Sequence, residues 1–165
     1  MEEWKQILDH PNYLISNLGN IKNNKYNRDI KPVLYKCGYY HVGLRENGKT
    51  KCIKIHRLVG QHFLVNTDNK PFIDHIDRNK LNNDVNNLRW VTRGENERNK
   101  PKKQNTKSKY KGVYLIKNNR WKSSIKINCK TKHIGNFESE KEACLAYNQY
   151  IIDNNLGEYS ELNNL

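Results

Sequence analysis

At 165 residues with 35% hydrophobic side chains, the chain is too small and polar for one large buried core, and small modules arrayed along a polymer suit it better. Thirty Lys and Arg against 17 Asp and Glu leave a formal charge of +13, an excess that points to nucleic acid or another polyanionic surface. No run approaches the roughly 18 apolar residues of a membrane span, and the acidic start Met1-Glu2-Glu3-Trp4 is unlike a signal peptide, so a soluble intracellular protein with no membrane partner is expected.

Residues 2 to 30 carry Trp4, Ile7, Tyr13, Ile15 and Ser16 and turn at Gly19 before Ile21. Tyr13 and Ile15 alternate as a half-buried strand does. Trp4-Lys5 and Tyr13 to Gly19 resemble the small modules that precede HNH units in phage and intron endonucleases, with one extra residue before Ser16.

Tyr39 to Leu44 and Lys51 to Ile55 alternate on either side of Asn47-Gly48, which predicts a hairpin closed by a tight turn. Tyr40, Val42 and Leu44 share one face, while Lys51 and Lys54 stay free to meet phosphate. A solvated edge protected by lysines would look the same. His56 to Phe63 reads as a short amphipathic helix, with Val59 and Phe63 four apart. On it Arg57 is a candidate DNA contact, and His56 is read as structural or phosphate-contacting rather than catalytic.

Phe72-Ile73-Asp74-His75 ends a strand, an asparagine-rich loop follows, and Leu88 to Val91 alternates as a second strand with Asn87 at its entrance. Thr92 and Glu95 make a capping box ahead of a helix that Pro101 ends, so Asn96 falls in its first turn. Strand neighbours point to opposite faces, so the backbone near Asp74 and His75 is expected to bend or end there. The chemistry this pattern suits is metal-assisted phosphodiester hydrolysis. Asp74 and the carbonyl of Asn96 are hard oxygen donors for one magnesium or manganese ion, His75 is the base, and Asn87 orients its ring.

His56-Arg57-Leu58-Val59, Phe63, Asp74-His75-x-Asp77, Asn87-Leu88-x-Trp90 and Glu95-Asn96 together resemble the HNH nucleases with a strand-strand-helix metal site, especially the homing branch. The resemblance implies the same roles for Asp74, His75, Asn87 and Asn96, and products ending in a 5′ phosphate and a 3′ hydroxyl. Asparagine at the last position, Asn96, is the variant one homing branch carries.

Cys37, Cys52, Cys129 and Cys144 lie far apart with no CxxC pair, so zinc is not expected. Cys37 and Cys52 facing each other near His41 keep a small zinc site as an alternative.

Residues 101 to 108 read as a basic linker. From Pro101 to His133 there are eleven Lys or Arg and no Asp or Glu, a run interleaved with aromatics that suits phosphate contact and includes Lys109, Lys122 and Lys132. Three strands are predicted at 109–116, 120–127 and 131–137, with turns at Asn118-Asn119 and Cys129-Lys130. Trp121, Ser123, Ile125 and Ile127 are expected to share a core face, opposite Lys122, Ser124 and Lys126. Ser139 and Glu142 form a second capping box before a helix that packs by Ala143, Ala146, Tyr147, Tyr150 and Ile151.

Tyr110-Lys111-Gly112-Val113, Trp121, Ile134-Gly135-x-Phe137, Glu142-Ala143-x-x-Ala146-Tyr147 and Leu162-Asn163 resemble the plant ethylene-response-factor (Apetala-two type) DNA-binding domain. That resemblance implies a three-stranded sheet in the major groove, with contacts from Lys111, Tyr114, Ser124, Lys126, Thr131 and His133. The family's arginines and indole are largely replaced here, which favours positioning on the backbone over base reading.

The expected architecture is α+β: an N-terminal sheet module (1–54), a ββα-metal HNH unit (55–100), the linker (101–108) and a C-terminal sheet packed on one helix (109–165). The expected function is site-directed cleavage of double-stranded DNA by a homing-type endonuclease without a small-molecule cofactor. A monomer that nicks is the simplest assembly, and a dimer would cut both strands. The alternatives are a DNA-binding regulator with an inactive HNH unit, and a packaging or repair nuclease with little sequence preference.

Overall fold

A computed structural model describes residues 1–127 and 130–165, and the chain divides into two compact units, Met1–Val91 and Thr92–Leu165. The class is mixed α+β, as the sequence indicates: small antiparallel sheets with three α-helices among the described residues.

In the first unit, β1 (Trp4–Ile7), β2 (His10–Ser16), β3 (Ile21–Asn23) and β4 (Arg28–Ile30) form a sheet in sequence order. A second sheet joins β5 (Val33–Leu34), β6 (Tyr40–Glu46) and β7 (Lys49–Lys54). The β6–β7 hairpin turns at Asn47 (φ 48°) and Gly48 (φ 76°), the left-handed pair that matches the twist of the flanking strands. Val42 and Leu44 are buried on the inner face of β6.

Helix α1 (Ile55–Phe63) follows directly and starts without a side-chain cap, so packing rather than local hydrogen bonding holds its first turn. Its other end is tied down by His62, whose Nδ1 donates to the Leu58 carbonyl at 2.7 Å while Nε2 accepts the Leu8 amide at 3.0 Å. Strands β8 (Phe72–His75) and β9 (Leu88–Val91) pair antiparallel beside it. One apolar cluster runs through Ile15 and Ile21 of the first sheet, Leu44 of the second, Leu58 and Val59 of α1, and Leu88 of β9. The expected boundary at residue 54 therefore falls inside a shared core.

The second unit opens with α2 (Arg93–Asn99), whose capping box is complete: Thr92 Oγ1 accepts the Glu95 amide and Glu95 Oε2 accepts the Thr92 amide. Such a cap contributes about 1 kcal/mol. Strands β10 (Val113–Leu115), β11 (Trp121–Ile127) and β12 (Lys130–Phe137) form a sheet in that order, covered by α3 (Glu140–Asp153), which starts with the predicted Ser139–Glu142 box. Ala143, Tyr147 and Ile151 of α3 are buried. Asn118 and Asn119 take the left-handed conformation at the first turn. The second expected turn, at Cys129, lies partly outside the described residues.

The expected alternation along β11 breaks. Its pairing with β12 slips between Ser123 and Ser124, where Gly135 and His133 are the successive partners and Ile134 is the extra residue. Such a bulge re-aims side chains on the strands it joins. Ser123, Ser124 and Ile125 are consecutively buried, with Ser124 set against the Gly112 segment, whose carbonyl accepts its amide at 2.9 Å.

Candidate active site

Asp74 and His75 close β8, opposite Arg89 and Leu88 of β9. The chain turns at once: the His75 carbonyl accepts the Arg78 amide at 3.1 Å, and Arg78 takes a φ of 64°. The strand end anticipated from the sequence is present, and the two neighbours have different surroundings. The Asp74 carboxylate meets the Arg89 guanidinium at 3.3 Å, both side chains being largely covered. The His75 imidazole is 4% exposed and belongs to a stack of rings.

In that stack His75 lies 5.0 Å from His56 and 5.9 Å from Tyr39, and Tyr39 lies 4.9 Å from His56. Burial lowers the pKa of His75, against the opposing pull of Asn83 and the Asp74 and Asp77 carboxylates. Burial also pushes His56 down to about 3, helped by the charge of His75 and the neighbouring Lys54 and Arg57. Its Nδ1 is buried without a hydrogen bond. His56 therefore packs under His75 as a neutral ring, in keeping with a structural role. Two ammonium groups, Lys54 and Lys80, stand 4.6 and 4.7 Å from the Tyr39 ring centre, within cation–π range.

Asn87 does not meet the His75 ring. Its Oδ1 accepts the Asp77 amide at 3.0 Å, and its Nδ2 donates to Asp77 Oδ1 at 2.8 Å and to the Asn82 carbonyl at 2.9 Å. Asn87 thus holds the loop that follows the histidine. Although desolvation works the other way, bonds from Asn82, Asn87 and Asn79 keep the Asp77 carboxyl below its usual range. The amide facing the imidazole is Asn83, with Oδ1 3.4 Å from Nε2. Asn82, Asn83, Asn86 and Asn87 share one chemistry within one short loop, so spacing alone gives no reason to choose Asn83.

The N-terminal module braces this loop. The Val85 amide donates to the Asn17 carbonyl at 2.8 Å. Gly19, at φ +86°, comes so close that a Cβ there would stand 2.9 Å from Asn83 Cβ. Asn96 lies in the second unit, half-buried in the first turn of α2, where its amide bonds to the Thr92 carbonyl at 3.1 Å.

Among the expected DNA contacts, Lys51 and Arg57 are exposed, and so are Lys109, Tyr114, Lys126, Thr131, Lys132 and His133. Lys122 is half-buried. Two positions depart from expectation. Ser124 is 7% exposed, lying with Gly112 and the end of α2 around one cavity, and the Lys111 ammonium donates to the carbonyls of Arg98 and Lys100. Both face inward.

Cys37 and Cys52 are exposed free thiols, and Cys52 bonds to the Tyr35 hydroxyl at 3.2 Å. Among the described residues, no three His, Cys, Asp or Glu gather as a metal site. The Asp74 carboxylate, already in contact with Arg89, supplies oxygen donors of the hard type that a hydrated divalent cation takes. No helix among the described residues is long and apolar enough to cross a membrane.

Residues 54–98 match the HNH endonuclease family model, and residues 2–45 match the NUMOD4 motif. DNA endonuclease I-HmuI of Bacillus phage SP01 is 41% identical over 91 residues, which are 54% of this chain and 52% of that protein. H-N-H endonuclease F-TflII of Escherichia phage T5 is 37% identical over 95 residues, 56% of this chain and 49% of that one. An uncharacterized HNH endonuclease of Acanthamoeba polyphaga mimivirus is 40% identical over 85 residues, 52% of this chain and 26% of its own length. A solved structure, of DNA binding and cleavage by the HNH homing endonuclease I-HmuI, superposes with a TM-score of 0.52 at 41% identity, covering 55% of this chain and 52% of that one. The chain spans about half the length, or less, of these relatives.

Proposed function

We propose that this chain is a metal-dependent DNA endonuclease of homing type. The observation that carries the reading is the buried, pKa-lowered imidazole of His75 next to the Asp74 carboxylate at a strand end, inside the segment that matches the HNH model. The likeness to phage endonucleases, one of them named a DNA endonuclease, supports DNA as the substrate, and we take it to be double-stranded.

In this reading Asp74 and the side-chain carbonyl of Asn96 are the oxygen donors that would hold a magnesium or manganese ion. That ion, when bound, supplies stabilisation of charge on the phosphate and the departing oxygen. His75 takes the proton of the attacking water, and burial keeps its ring neutral and able to do so near neutral pH. Asn83 sets the ring's orientation, and Asn87 fixes the loop that delivers Asn83. Lys54 and Lys80, held over Tyr39, attract the strand to the base. The C-terminal sheet, in the manner of an Apetala-two type domain, adds phosphate contacts through Lys109, Tyr114, Lys122, Lys126, Thr131, Lys132 and His133.

A second reading has one observation in its favour: the Asp74 carboxylate is already engaged by Arg89. A guanidinium there lowers its pull on a cation, as in a DNA-binding regulator whose nuclease unit is silent. Incubating the full chain with supercoiled plasmid, with and without magnesium or manganese, separates the two. Metal-dependent nicking that His75→Ala abolishes supports the endonuclease. Binding without nicking under any divalent ion sinks it.

A further inference from the structure

A cavity of about 330 Å³ opens within the second unit, between the end of α2, the segment after Pro101, the start of β10 and the middle of β11. Its walls carry Arg98, Lys100, Lys102, Lys103, Lys111 and Lys126 against one acid, Glu97. Two of these charges are answered. Lys100 pairs with Glu97 at 2.5 Å, and Lys111 lies against the carbonyls that end α2, where the helix dipole favours a cation. Lys102 donates to the Thr106 hydroxyl and the Lys103 carbonyl, and Lys126 lies within the field of Glu97, which leaves six cations on the walls of one concavity against a single acid.

Arg98 is the pointed case. It is 7% exposed, and no carboxylate pairs with it among the described residues. Its guanidinium reaches one carbonyl, that of Lys126, at a long 3.5 Å, and its Nε is buried without a partner. A buried guanidinium left this way is costly unless an anion completes it. The planar fork of arginine is also shaped for two oxygens of one phosphate. Tyr147 lines the same space, and burial holds its hydroxyl neutral, up to about 12, so that it can donate a hydrogen bond.

We propose that this cavity is a phosphate-binding site, seated on Arg98 and guarded by Lys102, Lys103 and Lys126, for either a backbone phosphate of a nucleic acid or a free phosphate ion. The site shares only Lys126 with the DNA contacts of the nuclease reading, and Arg98, on which it is seated, has no part in that reading.

The test uses the full chain in EDTA, so that no cleavage intervenes, with inorganic phosphate titrated at constant ionic strength against chloride and followed by calorimetry. A one-to-one isotherm is expected. The exposed pair Lys103→Gln/Lys126→Gln should weaken it about tenfold, as losing charge-assisted bonds does, and Arg98→Gln should weaken it further. Displacement of the phosphate by a short DNA duplex assigns the site to the backbone, and undisturbed phosphate binding assigns it to the free ion. No saturable isotherm in the unaltered protein, or one that the lysine pair leaves unchanged, overturns the proposal, whether or not Arg98→Gln folds.

Discussion

The rings of His56 and His75 lie 5.0 Å apart at an interplanar angle of 68°, both buried and both with lowered pKa. Two imidazolium charges at that distance repel in a medium that cannot screen them. Folding therefore selects neutral rings, and stability becomes coupled to pH. Above the unfolded value of 6.5 both states are neutral at His56 and the coupling is silent. Between 6.5 and about 3 the unfolded chain holds the proton and the folded chain does not, so stability falls as pH falls, by up to about 1.4 kcal/mol per pH unit. Urea denaturation of the metal-free protein from pH 7.5 to 4.5 should show this slope, and His56→Leu should flatten it. An equal slope in both proteins rules out this imidazole as the source.

Removing the base is the most direct probe of chemistry. His75→Ala is expected to cut nicking by at least about 100-fold, the usual contribution of a positioned base, while DNA affinity in EDTA changes little. Comparable losses of affinity and rate would mean that His75 binds rather than reacts.

The two asparagines should separate. Asn83 faces the ring, so Asn83→Leu is expected to slow cleavage about tenfold and move the acidic limb of its pH profile, because its bond to the ring raises the histidine's pKa. Asn87 makes three bonds within the loop, so Asn87→Ala should lower stability by about 1–3 kcal/mol. Paired kinetic and denaturation measurements on both variants read the difference, and identical phenotypes would refute it.

Lys54 and Lys80 should act through charge. Replacing both by Gln is expected to reduce the slope of log affinity against log salt by about 1.8, some 0.9 for each phosphate no longer neutralised. Fluorescence anisotropy with a labelled duplex in EDTA measures it. A slope that does not move places both ammonium groups away from the strand.

Gly19 answers for the brace. A side chain there is strained twice, by a φ of +86° and by a Cβ 2.9 Å from that of Asn83. Gly19→Ala should cost about 1–3 kcal/mol and slow cleavage as well, despite lying far along the chain from His75. Normal activity in a destabilised variant would show that the turn supports the fold without aligning the base.

What the sequence made legible were features with local causes. The Asn47-Gly48 turn, the Thr92–Glu95 and Ser139–Glu142 boxes and the break after His75 are all written within a few residues. The missed features depend on partners distant in sequence. Tyr39 joins the rings across the fold, Arg89 meets Asp74 from the opposite strand, and Asn83 is singled out by the turn around Gly19. Ser124 is covered by the Gly112 segment and the end of α2, which no reading of β11 alone contains.

The hairpin of β6 and β7 has a bearing on how such proteins are recombined. One family match ends at residue 45 and the next begins at residue 54, which invites a cut between them. Yet Leu44 pairs with Lys51 and His41 with Lys54 across that interval. A chimera spliced there would inherit half of a ribbon from each parent, and its two halves would have to relearn a common interior. Transplanting residues 1–99 intact keeps the ribbon, its core and the helix that carries Asn96 on one piece of chain.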